Sequence, residues 1–315
     1  MRHFSAAVGA AALLFSGCGD ESLTGGGGEG GTGGAGGAAP SLDFEAGGDR
    51  PVLVRVPASY DPATPAPLVI LLHGYGASGG LEDVYLELSG AALERGAVFA
   101  APTGTTDSLG RPFWNATDAC CNFDGTDVDD LGYLIGLREE IGETINLDPK
   151  RIYFVGHSNG GFMSHQVACE HADAVAAIVV LAGALTNDTT SCDPSEPVSV
   201  LQIHGTADDT ILYDGGTNVG DFSTTVTDGP PYPGAVATVT RWAEVDGCSA
   251  TPDAGAPIDL DVTLDGAETN VDDYPGCDAG TGVELWTIQG GSHIPVFADT
   301  IGGVIMDWLL AHPKG

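Results

Sequence analysis

The chain has 315 residues, 10 of them Lys or Arg and 44 Asp or Glu, for a formal net charge of −34. That balance excludes nucleic acid as a partner, since phosphate backbones are bound by basic surfaces, and it disfavours polyanionic substrates. With 43% hydrophobic residues the composition is globular, enough for one large domain or two small ones.

At the N-terminus, Arg2 precedes an apolar stretch from Ala6 to Phe15 that is too short to span a bilayer, and Ser16-Gly17 leads to Cys18. Residues 1–17 resemble a bacterial lipoprotein signal, with Phe15 where Leu is usual. The resemblance implies cleavage before Cys18 and acylation of its sulfur and new amino group; the alternative is an ordinary secretory signal with a bystander cysteine. Both readings export the chain, either membrane-anchored through lipid at Cys18 on the cell surface or in the periplasm, or secreted. From Thr24 to Ala39 the chain is Gly, Ala and Thr with a single Glu29. Residues 18–40 therefore read as a tether, and a flexible run of about 16 residues spans roughly 20–25 Å.

Residues 41–315 read as the folded part. Apolar runs at Val52–Val56, Leu68–Leu72, Ala97–Ala101, Ile152–Val155, Ala176–Leu181, Val198–Ile203 and Val283–Ile288 predict strands. Helical spacing appears over Leu81–Arg95, Val128–Ile145, Phe162–His171, Val236–Val245 and Ala298–Ala311. Strands alternating with helices predict an α/β fold with a mostly parallel central sheet covered on both faces.

Apart from Cys18, the cysteines are Cys120, Cys121, Cys169, Cys192, Cys248 and Cys277. An even number in an oxidising compartment favours three disulfides, although spacing does not give their connectivity. Cys248 and Cys277 bracket an acidic, strand-poor excursion, Ser249–Gly276, and are the pair expected first; Cys120 and Cys121 could bond each other or reach out separately. There is no C-x-x-C, no H-x-x-x-H and no EF-hand spacing among the Asp259–Asp278 acids, so no metal is assigned.

In a fold of this kind chemistry gathers at the carboxyl ends of strands. The run Arg151–Val155 leads into Gly156-His157-Ser158-Asn159-Gly160-Gly161, a G-x-S-x-G in strand-turn-helix context, which makes Ser158 the candidate nucleophile. A second match, Gly76–Gly80, is displaced from its strand by His73-Gly74-Tyr75 and reads as a loop beside the site. In that loop the Tyr75 N–H is a candidate oxyanion donor, with the Asn159 N–H as the other. A serine hydroxyl needs a base oriented by an acid, and the order Ser, acid, His is met by His204-Gly-Thr-Ala-Asp208 after one strand and Gly290-Gly-Ser-His293 after another. Asp208 is preferred to Asp209. His157 and His204 read as supporting histidines, and His165 and His171 as packing or cap residues. Asp129-Asp130 reads as a helix N-terminus rather than as the paired carboxylates of a glycosidase.

These segments, with Leu72-His-Gly-Tyr-Gly, Cys120-Cys121, Val128-Asp-Asp-Leu-Gly132 and Asp148-Pro-Lys-Arg-Ile-Tyr153, resemble the polyhydroxybutyrate depolymerase / feruloyl esterase family of α/β-hydrolases over about residues 42–312. The resemblance implies Ser158, Asp208 and His293 as a triad hydrolysing carboxylic esters without a cofactor. It departs after His293, where Ile294-Pro295-Val296 replaces a Trp-Pro-Gly-like segment and leaves acyl or polymer specificity open. Only Ala182–Pro197 separates two strands, so no large cap domain fits, and an open site suits a neutral, bulky or polymeric ester. Leu212–Pro233 could form part of the rim, with Tyr213, Phe222, Tyr232 and Trp114 as candidates for stacking on sugar or phenol. The rival readings are a serine peptidase on the same scaffold and a non-catalytic surface-binding lipoprotein.

Overall fold

The computed structural model describes residues 41–187, 192–217 and 230–315. The signal-like segment, Cys18, the Gly-rich run and Phe222 lie outside the described residues. Eight strands form the central sheet: β1 Ala66–Leu72, β2 Val98–Ala100, β3 Leu147–His157, β4 Ala177–Leu181, β5 Ser199–Gly205, β6 Asp253–Ala254, β7 Thr269–Asp273 and β8 Val283–Ile288. Their spatial order is β6-β7-β8-β5-β4-β3-β1-β2. The six strands from β8 to β2 run parallel, while β7 is antiparallel to both β8 and β6.

A strand covered on both faces must be apolar at odd and even positions alike, and β1 and β5 are buried at every residue. Alternate side chains then feed two separate cores. On one face Leu68, Ile70, Phe154, Ile178 and Val200 pack with Leu137, Met163 and Trp242; on the other Val69, Leu71, Val155, Leu181 and Ile203 pack with Leu88, Ile305 and Trp308. The helices that cover these faces are α1 Gly79–Leu86, α2 Leu88–Glu94, α3 Asp130–Thr144, α4 Asn159–Glu170, α5 Ala235–Val245 and α6 Ile301–Ala311. This is the expected architecture, and residues 182–198 between β4 and β5 leave no room for a large cap domain.

Two expectations are corrected. The helix predicted over Leu81–Arg95 is two helices, broken at Glu87, whose φ of 49° lies in the left-handed region. Here α6 crosses so closely that a Cβ on Gly302 would sit 2.6 Å from the Glu87 carbonyl oxygen. The excursion Ser249–Gly276 is not strand-poor, because β6 and β7 extend the sheet through it. β7 needs no apolar run: Val271 packs on the core and Thr269 is buried, while its other residues are exposed or half-buried.

Disulfides join Cys120–Cys121, Cys169–Cys192 and Cys248–Cys277. The last is the pair expected first and closes the base of the β6-β7 excursion. Among the described residues no helix is long and apolar enough to cross a membrane.

Candidate active site

β3 ends at His157, α4 begins at Asn159, and Ser158 makes the whole turn between them at φ 54° and ψ −119°. For a residue with a Cβ this conformation costs on the order of 1–3 kcal/mol and persists only where the surroundings over-determine it. They do so through close backbone contact. A Cβ on Gly156 would lie 2.1 Å from the Gly160 carbonyl oxygen, and one on Gly160 would lie 2.1 Å from that of Leu72. The Ser158 N–H also donates to the Leu181 carbonyl at the end of β4, at 2.8 Å. The second G-x-S-x-G has none of this strain: Ser78 is extended at φ −124° and caps α1, its hydroxyl accepting the Leu81 N–H at 3.3 Å.

Three strand ends converge on one point. His293 Nε2 lies 3.0 Å from Ser158 Oγ, and its Nδ1 lies 2.8 Å from Asp208 Oδ2. Asp208 Oδ1 accepts the backbone N–H groups of Thr210 at 2.8 Å and Ile211 at 2.9 Å. Its Oδ2 also lies 3.3 Å from His204 Nε2, whose ring is held further by the Ile211 carbonyl at 2.8 Å. Burial alone would raise the Asp208 pKa, but hydrogen bonds from His204 and His293 and the Thr210 N–H outweigh it, so the carboxyl stays ionised well below its usual range. His293 is shifted down, chiefly by burial and further by the charges of His157 and His204, against the pull of Asp208. A neutral imidazole held between a carboxylate and a hydroxyl is equipped to take a proton. Asp209 is exposed and does not reach His293.

The loop after β1 presses against the elbow, where a Cβ on Gly74 would lie 3.4 Å from Ser158 Cβ. Its conformation is locked by the buried His73, whose Nδ1–H donates to the Gly74 carbonyl at 2.8 Å while Nε2 accepts the Gly104 N–H at 2.9 Å. Those bonds assign the neutral tautomer, in keeping with the downward pKa shift that burial imposes. Tyr75 lines the cleft, and its phenol donates to Asp107 at 2.6 Å. Asn159 is the first residue of α4, so its N–H has no acceptor four residues back and lies at the positive end of the helix.

The remaining candidates fall into supporting places. His157 points away from Ser158, with Nδ1 3.3 Å from Glu82 and Nε2 3.0 Å from the His293 carbonyl. His165 accepts the Trp242 indole N–H at 3.1 Å inside the core, and His171 caps α4. Asp129 caps α3 through the Gly132 N–H at 2.7 Å, while the buried Asp130 pairs with Arg50 and accepts the Asn115 N–H at 2.7 Å.

For Trp114, Tyr213 and Tyr232 the expectation of stacking platforms fails. Trp114 and Tyr232 are buried packing residues, and Tyr213 is half-buried edge-on to His204 with its hydroxyl 2.9 Å from Thr287 Oγ1. The cleft, of about 500 Å³, is instead walled by Tyr75, Leu81, Tyr85, Thr210 and Ile294 around Ser158 and His293. Leu81 and Tyr85 stand one helical turn apart on α1, a spacing that could have marked them once the loop before α1 had been placed at the site.

No family model matches the chain. Feruloyl esterase B of Piromyces equi is 32% identical over 249 residues, covering 78% of this chain and 42% of that protein. The bifunctional acetylxylan esterase/xylanase XynS20E of Neocallimastix patriciarum is 26% identical over 271 residues, covering 85% of this chain and 35% of that protein. The chain thus spans less than half the length of these two curated relatives. Among solved structures, an acetyl xylan esterase from Aspergillus awamori superposes with a TM-score of 0.59 at 14% identity, over 86% of this chain and 99% of that one. The fold is that of the α/β-hydrolases.

Proposed function

We propose that this chain is an exported serine esterase that hydrolyses neutral carboxylic esters of bulky or polymeric substrates through an acyl-serine intermediate. The observation that carries the reading is the continuous chain of contacts from Asp208 through His293 to Ser158, at 2.8 Å and 3.0 Å, opening on the cleft. Similarity to a feruloyl esterase and to an acetylxylan esterase/xylanase supports feruloyl and acetyl polysaccharide esters as the first substrates to try. Hydroxyalkanoate oligomers, which the sequence resemblance implies, come next.

In this mechanism His293 takes the Ser158 proton as Oγ attacks the ester carbonyl. Asp208 holds the ring and stabilises the imidazolium that forms. The Tyr75 and Asn159 amides receive the oxyanion, and His293 then protonates the leaving alcohol. Water repeats the cycle to release the acid. The apolar wall of Leu81, Tyr85 and Ile294 takes the acyl group, and the mouth, over which the described residues place no cap domain, admits a polymeric alcohol. No cofactor enters these steps. Cleavage before Cys18 and lipid at that residue would hold the catalytic part, residues 41–315, at a membrane surface, with residues 18–40 as the tether.

The test is hydrolysis of a short-chain aryl ester by the purified protein beside Ser158→Ala, followed by a panel of feruloyl, acetyl-xylan and hydroxybutyrate substrates. Turnover that disappears in Ser158→Ala supports the reading. Wild-type protein that is folded yet inert on every ester would sink it and favour a peptidase or a binding protein.

A further inference from the structure

Beneath the candidate triad lies a second buried pair that the proposed reaction does not use. Glu82 is 3% exposed on α1, and His157 is 6% exposed in the elbow. Glu82 Oε2 accepts the Gly74 N–H at 3.0 Å, next to the proposed oxyanion donor Tyr75. Its Oε1 faces His157 Nδ1 at 3.3 Å, and His157 Nε2–H donates to the His293 carbonyl at 3.0 Å. One chain of polar contacts therefore runs from the donor loop, through α1 and the elbow, to the backbone of the proposed base. α1 also grips the loop that carries His293 directly, since the Tyr85 hydroxyl donates to the Pro295 carbonyl at 2.9 Å.

We propose, building on the serine-esterase reading, that Glu82 and His157 are a positioning pair that sets the Tyr75 donor loop and the His293 ring in register with Ser158. A buried carboxylate is costly without a partner, so a Glu at this place on an otherwise ordinary helix implies a partner worth keeping. The pair also acts on His293 electrostatically. The rings of His157 and His293 are 5.0 Å apart between centroids, and a charged His157 disfavours a charged His293. Burial by itself would keep His157 neutral, but the charge of Glu82 raises its pKa; Glu82 is held down in turn by His157 and the Gly74 N–H against its own burial. The other titratable groups facing the pair are His73 on the loop after β1, Tyr85 on α1, Asp208 after β5 and His293 after β8.

Glu82→Gln, His157→Gln and the double variant test this, with kcat expressed per serine titrated by an organophosphonate so that misfolded protein does not count. Each single variant should lose at least tenfold in kcat with KM within twofold, and the double should lose no more than the worse single. The acid limb of kcat/KM should move to higher pH in His157→Gln, because a positive neighbour of His293 is gone. His157→Gln keeps an N–H for the His293 carbonyl, so it should outperform His157→Leu severalfold. In wild-type protein, imidazole nitrogen NMR should show one histidine that titrates above 6.5 and that His157→Gln removes. If esterase turnover depends on Ser158 while Glu82→Gln retains full kcat and an unmoved acid limb, or if His157 titrates below 6.5, the pair is overturned and the esterase reading stands. Absence of any Ser158-dependent turnover overturns both.

Discussion

Asn159 holds both backbone polar groups of Trp114, its Oδ1 accepting the N–H at 2.7 Å and its Nδ2 donating to the carbonyl at 2.9 Å. Trp114 in turn donates its indole N–H to the His73 carbonyl at 3.1 Å. The side chain of one proposed oxyanion donor therefore braces the loop that carries the other, with Trp114 as the strut. Both Asn159 and Trp114 are fully buried. Asn159→Ala leaves a buried N–H and a buried carbonyl unpaired, which costs about 2–4 kcal/mol in all. The denaturant midpoint should fall accordingly and kcat should drop with it. An unchanged midpoint would show that water or a backbone shift replaces the bracket.

The two neighbouring acids differ sharply in what they touch. Asp208 accepts from His293, Thr210 and Ile211 in a buried loop, while Asp209 faces solvent. Asp208→Asn should lower kcat on the order of 10³–10⁴-fold, since an amide there no longer holds the imidazole in its working tautomer. Asp209→Asn should stay within twofold of wild type. Equal effects from the two substitutions would break the assignment.

Burial shifts the His293 pKa downward from 6.5, so the neutral base survives to lower pH than a solvated imidazole would. Protonation removes the acceptor for the Ser158 proton. The acid limb of the kcat/KM profile on a neutral aryl ester should therefore have its midpoint below pH 6.5. A midpoint above 6.5 would show that the Asp208 carboxylate outweighs burial in the free enzyme.

How much of this could be read from the chain depends on the kind of contact. The convergence of Ser158, Asp208 and His293 was legible because each lies within five residues of the end of an apolar strand, and parallel strands bring their carboxyl ends together whatever the sequence between them. Glu82 was not legible. It is one acid among many on an acidic chain, and only the packing of α1 against the elbow buries it beside His157. Trp114 misled for a related reason: an aromatic residue on a loop reads as exposed until the backbone partners of its indole are known. β7 was missed because a strand lying toward the sheet edge needs few apolar residues, and Thr269-Asn-Val-Asp-Asp273 supplies a single Val.

A last prediction concerns stability rather than catalysis. Asp246 caps the C-terminus of α5 fully buried, where the helix dipole already disfavours negative charge. Its Oδ1 accepts the Val198 N–H at 3.3 Å, and its Oδ2 has no hydrogen-bond partner among the described residues. Burial pushes its pKa up from 3.8 to about 7, against the stabilising influence of Thr281. Between those two values the folded protein binds a proton that the unfolded chain has released, so the contribution of Asp246 to stability falls as pH rises from about 4 to about 7. Asp246→Asn removes the titration while keeping the acceptor for Val198. At pH 8 the variant should be more stable than wild type by an amount on the order of 1–4 kcal/mol, and at pH 4 the two should coincide. Paired urea titrations at both pH values measure this directly. A gain of the same size at pH 4 would mean that packing, not ionisation, separates the two side chains.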